Sequence, residues 1–300
     1  MKSWQAELWL LLMTLGWGAT FLFTKLGLND CPPSLYIILR FSIALILCLA
    51  FFGRHLRSVD KKTALQAMIL GWFFITGFEL QTYGLAYTSI SKSAFITGFT
   101  VLITPFVFFL VERKRVSNWQ KAGVAIASIG LWVFTKPDID NVNIGDILTL
   151  LSTTFWALYI TYMDIFTRDK RGIAQNMQMV SFQFIGALPV AILFFLLFEF
   201  NGTFALTFNE NLITSLLFNG IAASFVITIV HTSVQKYSTP VKAALIFSLE
   251  PIFAYIFAFF AAGEILTERE AAGAAIMMLG VLSAELGPFL IKEKSQQAGA

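Results

Sequence analysis

"VSNWQKAGVAIASIG" (116–130) and "LTEREAAGAAIMMLG" (266–280) lie 150 residues apart and read as two versions of one segment. Ser117 with Gln120, and Thr267 with Glu270, each make a capping box, in which cap and third residue satisfy each other's backbone N–H. Gly123 and Gly130 fall on Gly273 and Gly280, and Gly287 continues the seven-residue spacing. Such a glycine stripe lets a neighbouring helix approach closely. The match runs upstream, where "TYGLAYTSISKSAF" (82–95) sits over "HTSVQKYSTPVKAAL" (231–245) and pairs Tyr87 with Tyr237, Lys92 with Lys242 and Ala94 with Ala244. "GWGATFLF" (16–23) lies over "FWALYITY" (155–162) at an offset of 139, Trp17 on Trp156. The chain is a duplication.

Of 300 residues, 57% are hydrophobic and 13% charged, and Phe alone supplies 32. A soluble domain carries about 25% charged residues, so this chain lacks the polar surface to cover a water-facing globule. Polar breaks divide it into ten apolar segments, near 8–28, 34–53, 63–86, 93–111, 118–135, 145–166, 175–198, 211–233, 240–262 and 269–291. Each suits a bilayer crossing of about 20 helical residues. The runs are continuous, without the alternation of a membrane β-barrel. Residues 8–28 are too long for a signal-peptide core and read as a first span that stays. Cys31 and Cys48 are separated by most of a helix, so no disulfide is expected between them.

Each half holds five spans, an odd number, so the second enters the membrane from the opposite side. The loops agree: "VERKRVSN" (111–118) is basic, while "GEILTERE" (263–270) is acidic on balance. Of the 21 Lys and Arg, fourteen fall on the side of the N-terminus, three (Lys92, Lys136, Arg269) on the other, and four (Lys25, Arg40, Lys121, Lys242) within spans. The positive-inside rule then places both termini in the cytoplasm. The expected organisation is a first repeat over 1–136, a second over 145–291 and a cytoplasmic tail over 292–300. The sequon at Asn201 would face outward. Spans five and ten are expected outside the central cavity, with their glycine faces on spans of their own half or at a dimer seam. Inverted five-helix repeats place a binding site at their interface near the bilayer midplane.

The motifs resemble the drug/metabolite transporter superfamily, and within it the permeases with two EamA-type domains. The resemblance covers residues 8–291 and rests on "GWGATFLFTK" (16–25), "PPSLYIILRF" (32–41), "GLAYTSISKSAFITGF" (84–99) and, most specifically, "LEPIFAYIFAFFAAGEILT" (249–267). The first half departs from it, with Thr104-Pro105 in place of Leu-Glu-Pro and "VERKR" in place of Gly-Glu-Arg. The resemblance implies an inner-membrane carrier that moves small organic molecules, often outward, by alternating access. No motif names the substrate.

Glu250 lies ten residues into span nine, roughly 15 Å deep and so at the midplane. A carboxylate there costs several kcal/mol unless protonated, paired or hydrated. Pro251 deprives the Phe247 carbonyl of its donor, and Pro105 raises the same prospect in span four. Carboxylate and free carbonyl together make a polar notch suited to lining a cavity. The alternative is a protonated Glu bonded to a neighbouring helix, with Pro251 merely bending its own.

Lys25, Arg40 and Glu79 fall at similar depth in the outer third, as an ion-paired gate, a cationic feature for a substrate carboxylate, or a snorkelling lysine beside a structural bridge. Asp164, His231, Lys242 and Glu285 fall in the inner third, and Asp164 and Lys242 read as interfacial. His231 has an ordinary pKa near neutrality, which makes it a candidate proton site or a structural histidine. Among aromatic and amide residues, including Tyr83, Phe95, Phe99, Tyr159, Gln183 and Asn219, only Trp17, Trp156 and Tyr255 flank the motifs and stand as pocket candidates.

The expected partners are a small-molecule substrate, the lipid bilayer and protons as a candidate coupling ion, for a monomer or homodimer. The small net charge of +3 gives no ground for a nucleic-acid partner, and no cofactor or metal is expected. An intramembrane enzyme is the main alternative, but the chain has no HExxH and no paired aspartates on facing helices. A channel or receptor scaffold would need neither the midplane carboxylate nor the inverted repeat.

Overall fold

A computed structural model describes residues 1–135, 142–170, 172–200, 205–262 and 267–297, and all of its regular structure is helical. The candidate positions Lys136 and Asn201 lie outside the described residues, as do the side chains of Glu285 and Gly287. Ten rods follow one another. Three are unbroken: α1 (Ser3–Gly27), α2 (Pro33–Leu56) and α3 (Lys61–Tyr87). The fourth is split into α4 (Ile90–Gly98) and α5 (Thr100–Glu112), and α6 (Asn118–Thr135) closes the first half. The second half opens with α7 (Ile144–Thr167) and α8 (Ile173–Phe194), the latter ending in a π-helical turn at Phe195–Glu199. Its eighth rod is α9 (Glu210–Leu217), a π-helical stretch (Phe218–Val226) and α10 (Ile227–Val234). The ninth is split into α11 (Pro240–Phe247) and α12 (Glu250–Ala262), and α13 (Glu268–Gln297) is last.

Eight of these rods are long and apolar enough to cross a membrane by length and composition; the shorter α6 and the final α13 fall outside that group. The outer surface is oily. Phe106 is 70% exposed, Phe198 68% and Trp132 52%, a display that water would penalise and lipid tails would not. The chain is a multi-pass membrane protein.

The duplication is visible in local geometry. Ser89 caps α4 by accepting from Lys92 N, and Thr239 caps α11 by accepting from Lys242 N, at the expected offset of 150. The second helix of each broken rod starts at the same offset, α5 at Thr100 and α12 at Glu250. Both capping boxes form: Ser117 N donates to Gln120 Oε1 at 3.2 Å, and Thr267 N to Glu270 Oε2 at 2.8 Å.

The core lies among α2, α3, α7 and α8. Phe41, Phe74, Phe78 and Phe184 interlock there with Tyr159 and Met163. The phenyl groups of Phe74 and Phe78 meet edge to face with centroids 4.8 Å apart, the arrangement favoured by the ring quadrupoles.

Two expectations are corrected. The glycine faces of α6 and α13 pack neither within their own halves nor away from each other, but on one another across the repeat. A Cβ on Gly130 would lie 2.5 Å from Met277 N, and one on Gly280 2.6 Å from Ala127 N. Two helix backbones thus touch where only hydrogen fits. The second correction concerns Pro251, which sits not inside a continuous helix but in the first turn of α12. The rod breaks before it, at Ser248 and Leu249, and an N–H in a first turn has no helical acceptor to lose. Pro105, by contrast, lies inside α5, which runs from Thr100 to Glu112, and there it withholds the helical donor from the Val101 carbonyl.

Candidate functional site

A cavity lies where the two broken rods meet α1, α3, α7 and α10. From the first half, α1 brings Trp17 and Thr20, α3 brings Phe78 and Gln81, and the α4–α5 break brings Thr97, Gly98 and Thr100. From the second half, α7 supplies Trp156, Tyr159 and Ile160, α10 supplies His231, and the α11–α12 break supplies Phe247, Ser248 and Glu250. Both repeats therefore build the walls, and the two breaks bring Thr100 and Glu250 to equivalent places.

The aromatic walls interlock. Trp17 meets His231 edge to face at 5.7 Å and Phe247 at 5.1 Å, while Trp156 meets Phe78 at 4.7 Å. Tyr159 donates to Gln183 Oε1 at 3.0 Å, and Gln183 donates in turn to Thr232 Oγ1 at 3.2 Å. His231 Nε2 meets Gln235 Oε1 at 2.9 Å. The Gln235 amide nitrogen is turned to Ser238 O, so the hydrogen-bond network assigns the proton to Nε2 and leaves Nδ1 an acceptor.

Several polar atoms at this wall are unspent. Trp17 Nε1, Trp156 Nε1 and His231 Nδ1 are buried without a hydrogen-bond partner. Glu250 begins α12, where a carboxylate is favoured by the helix dipole. Among the described residues its carboxyl has neither a hydrogen bond nor an ion pair. Buried polar groups are ordinarily satisfied, so two donors, an acceptor and a carboxyl left open on one cavity wall describe a site prepared for a polar solute.

Trp17, Trp156, His231, Phe247 and Glu250 are thus together. The others are elsewhere. Tyr255 packs on Phe134 of α6 at 6.1 Å between centroids, away from the cavity. Lys25, Arg40 and Glu79 form no ion-paired gate. Lys25 Nζ donates to Leu85 O at 2.6 Å and to Thr88 O at 3.0 Å, closing the C-terminus of α3, where a cation satisfies the last carbonyls. Glu79 accepts from Ser34 Oγ at 2.7 Å, and no ion pair joins it to Arg40. Arg40 faces a smaller chamber beside the cavity.

Asp164 pairs with Arg168, which also reaches Glu112 at 2.8 Å, and Lys242 reaches Glu7 at 3.0 Å. These pairs tie helix ends together. Gln183 and Asn219 serve buried networks, the latter donating to Tyr36 Oη at 2.6 Å. Cys31 and Cys48 are both free and buried. Because Lys25 closes a helix end, Lys25→Met should lower the thermal midpoint and abundance, by about 1–3 kcal/mol for hydrogen bonds from a charged donor. The half-saturation concentration for transport should not move; a changed affinity at normal abundance would return Lys25 to the site.

Sequence reasoning missed Thr20, Phe78, Gln81, Thr97 and Thr100. Thr100 was within reach, since the 150-residue offset lays it on Glu250.

A model of the EamA-like transporter family matches residues 4–136 and again 143–284. The chain belongs to this family. An uncharacterized transporter of Archaeoglobus fulgidus is 31% identical to it, over 95% of this chain and 87% of that protein. A probable amino-acid metabolite efflux pump of Salmonella typhimurium is 27% identical, over 96% of this chain and 97% of that one. Its counterpart in Escherichia coli is 25% identical over 90% of this chain and 91% of its own length. A protein of known crystal structure superposes with a TM-score of 0.75 at 15% identity, covering 95% of this chain and 98% of that chain, and so has the same fold. The EamA chain is a membrane transporter of metabolites.

Proposed function

We propose that this EamA transporter is a secondary carrier that exports a small amino-acid-like metabolite across the cytoplasmic (inner) membrane by alternating access, in exchange for protons. The observation that carries the reading is the unpartnered Glu250 carboxyl, set at a helix break on the wall of a cavity built by both halves. Two relatives named amino-acid metabolite efflux pumps support the substrate class and the direction. Alternating access follows from repeats over 1–136 and 145–291 that rock about the cavity, each contributing one broken rod.

Glu250 is the proton site of this scheme. Titratable groups sharing the cavity with it are His231 from α10 and Tyr159 from α7, so the assignment to Glu250 is testable against both. Trp17, Trp156 and Phe247 hold the cargo's apolar part.

Purified protein in liposomes tests the reading. A carrier gives saturable counterflow of labelled amino acids, whereas non-saturating flux would mean a channel and chemical conversion an enzyme. Orientation has its own test. With both termini in the cytoplasm, Asp60→Cys and Asp169→Cys should react with a membrane-impermeant maleimide only from the inside, and Asp30→Cys only from the outside. The reverse pattern would invert every assignment of direction.

A further inference from the structure

We propose that the chamber at Arg40 is the subsite for the substrate's carboxylate, so that the cargo is an α-amino acid held as its zwitterion with its ammonium group at Glu250. This rests on the carrier reading of the central cavity and names its substrate class.

Arg40 is 1% exposed, yet among the described residues no carboxylate lies within ion-pair distance. Its Nε donates to Ser224 Oγ at 2.7 Å, and its guanidinium lies 4.5 Å from the Phe78 ring centroid and 5.3 Å from that of Phe41. Nη2 is buried with no partner. A buried charge without a counter-ion is costly, and the rings and Ser224 repay only part of that. What they also do is hold the planar fork in one orientation, with Nη2 left unspent.

The chamber shares Thr20, Phe78 and Gln81 with the main cavity and continues about one helical turn further along α1 and α3, to Thr24 and Leu85. One turn is about 5.4 Å. Glu250 and Arg40 therefore line two openings joined along this common wall. Opposite charges in two connected parts of one site match a molecule that carries both. The indole and phenyl faces of the main cavity suit an apolar side chain by contact.

The test uses the full chain in proteoliposomes loaded with a mixture of the proteinogenic amino acids. Each labelled L-amino acid is offered in turn, and the best is competed with its carboxamide, its decarboxylated amine and its desamino acid. The free amino acid should compete about tenfold better than the carboxamide, as expected for loss of a hydrogen bond between charged groups. R40Q should bring that ratio close to one. T82L, which fills the chamber while keeping the guanidinium, should lower it as well, and it decides the matter with the wild-type ratio where R40Q fails to accumulate. Equal competition by acid and carboxamide in the wild type, or counterflow of amines without any amino acid, would overturn the zwitterion subsite and leave the carrier standing. A total absence of saturable counterflow would overturn both.

Discussion

Gly71→Leu should leave little folded protein, whereas Gly53→Leu, in the preceding rod, should be harmless. Gly71 faces α8 at the point where α3 crosses it, and a Cβ there would overlap the Gln183 carbonyl oxygen and come within 3.1 Å of Ala187 N. The obstruction is backbone, which no rotamer change removes. Gly186 is the reciprocal contact from α8, where a Cβ would lie 2.7 Å from Met68 Cα. Leucine at 71 must therefore push the two helices apart, and with them the aromatic cluster of Phe74, Phe184 and Tyr159. Overpacking a core costs typically 1–3 kcal/mol and more where backbone has to move, so a loss on the order of 3 kcal/mol or above is expected. Gly53 has nothing within 4 Å, and leucine has the better helix propensity there. Fluorescence size-exclusion profiles and thermal midpoints in detergent measure the contrast. Equal behaviour of the two variants would mean that the α3–α8 crossing yields more easily than its contacts imply.

Periodic and local signals were the legible part of this fold. Capping boxes at Ser117 and Thr267 are made by residues three apart, so they survive whatever the tertiary structure does. The 150-residue repeat is equally explicit, and it holds for the Ser89 and Thr239 caps. Proline was a weaker guide. Pro251 marks a break that occurs two residues earlier, while Pro105 lies in an uninterrupted helix. A proline shows where a donor is missing, and whether the helix yields depends on its neighbours. In α5 the carbonyl that loses its donor is that of Val101, while the Thr100 and Thr104 hydroxyls bond the carbonyls of Thr97 and Thr100 at 2.7 Å each.

Partner choice was the illegible part. Depth along a rod placed Lys25, Arg40 and Glu79 at one level, but depth does not say which face a side chain occupies. Lys25 turned to the carbonyls of α3, Glu79 to Ser34, and Arg40 to Ser224. Ser224 lies in a π-helical stretch, whose wider turn shifts the facing of every later residue and which no composition signal announced. Trp17 and Trp156 could be found because the repeat pairs them. Gln81 could not, since a single amide in an apolar run is as often a buried hydrogen-bond partner.

Glu250→Gln should abolish transport driven by a pH gradient while preserving substrate exchange between compartments of equal pH. Glutamine keeps the volume and most of the hydrogen-bonding capacity of the carboxyl but cannot take up or release a proton near neutral pH. In the wild type, a carboxyl at the head of α12 with no partner among the described residues is open to whatever enters the cavity. In the proposed exchange it receives a proton from the acidic side, and the substrate's ammonium group loses its counter-charge and leaves. From the other side the proton departs, and the carboxylate is restored for the next ammonium. Proton and cargo then exclude one another at one group, which is the condition for exchange in opposite directions. Exchange at equal pH needs no net proton movement, so the variant should still perform it, with a higher half-saturation concentration because a neutral amide replaces the charge. His231 and Tyr159 are the cavity's other titratable side chains, and His231→Gln and Tyr159→Phe measured alongside show whether the loss is specific. Gradient-driven flux that persists in Glu250→Gln with the wild-type pH profile would falsify the assignment. Loss in His231→Gln alone would transfer the proton to the imidazole instead.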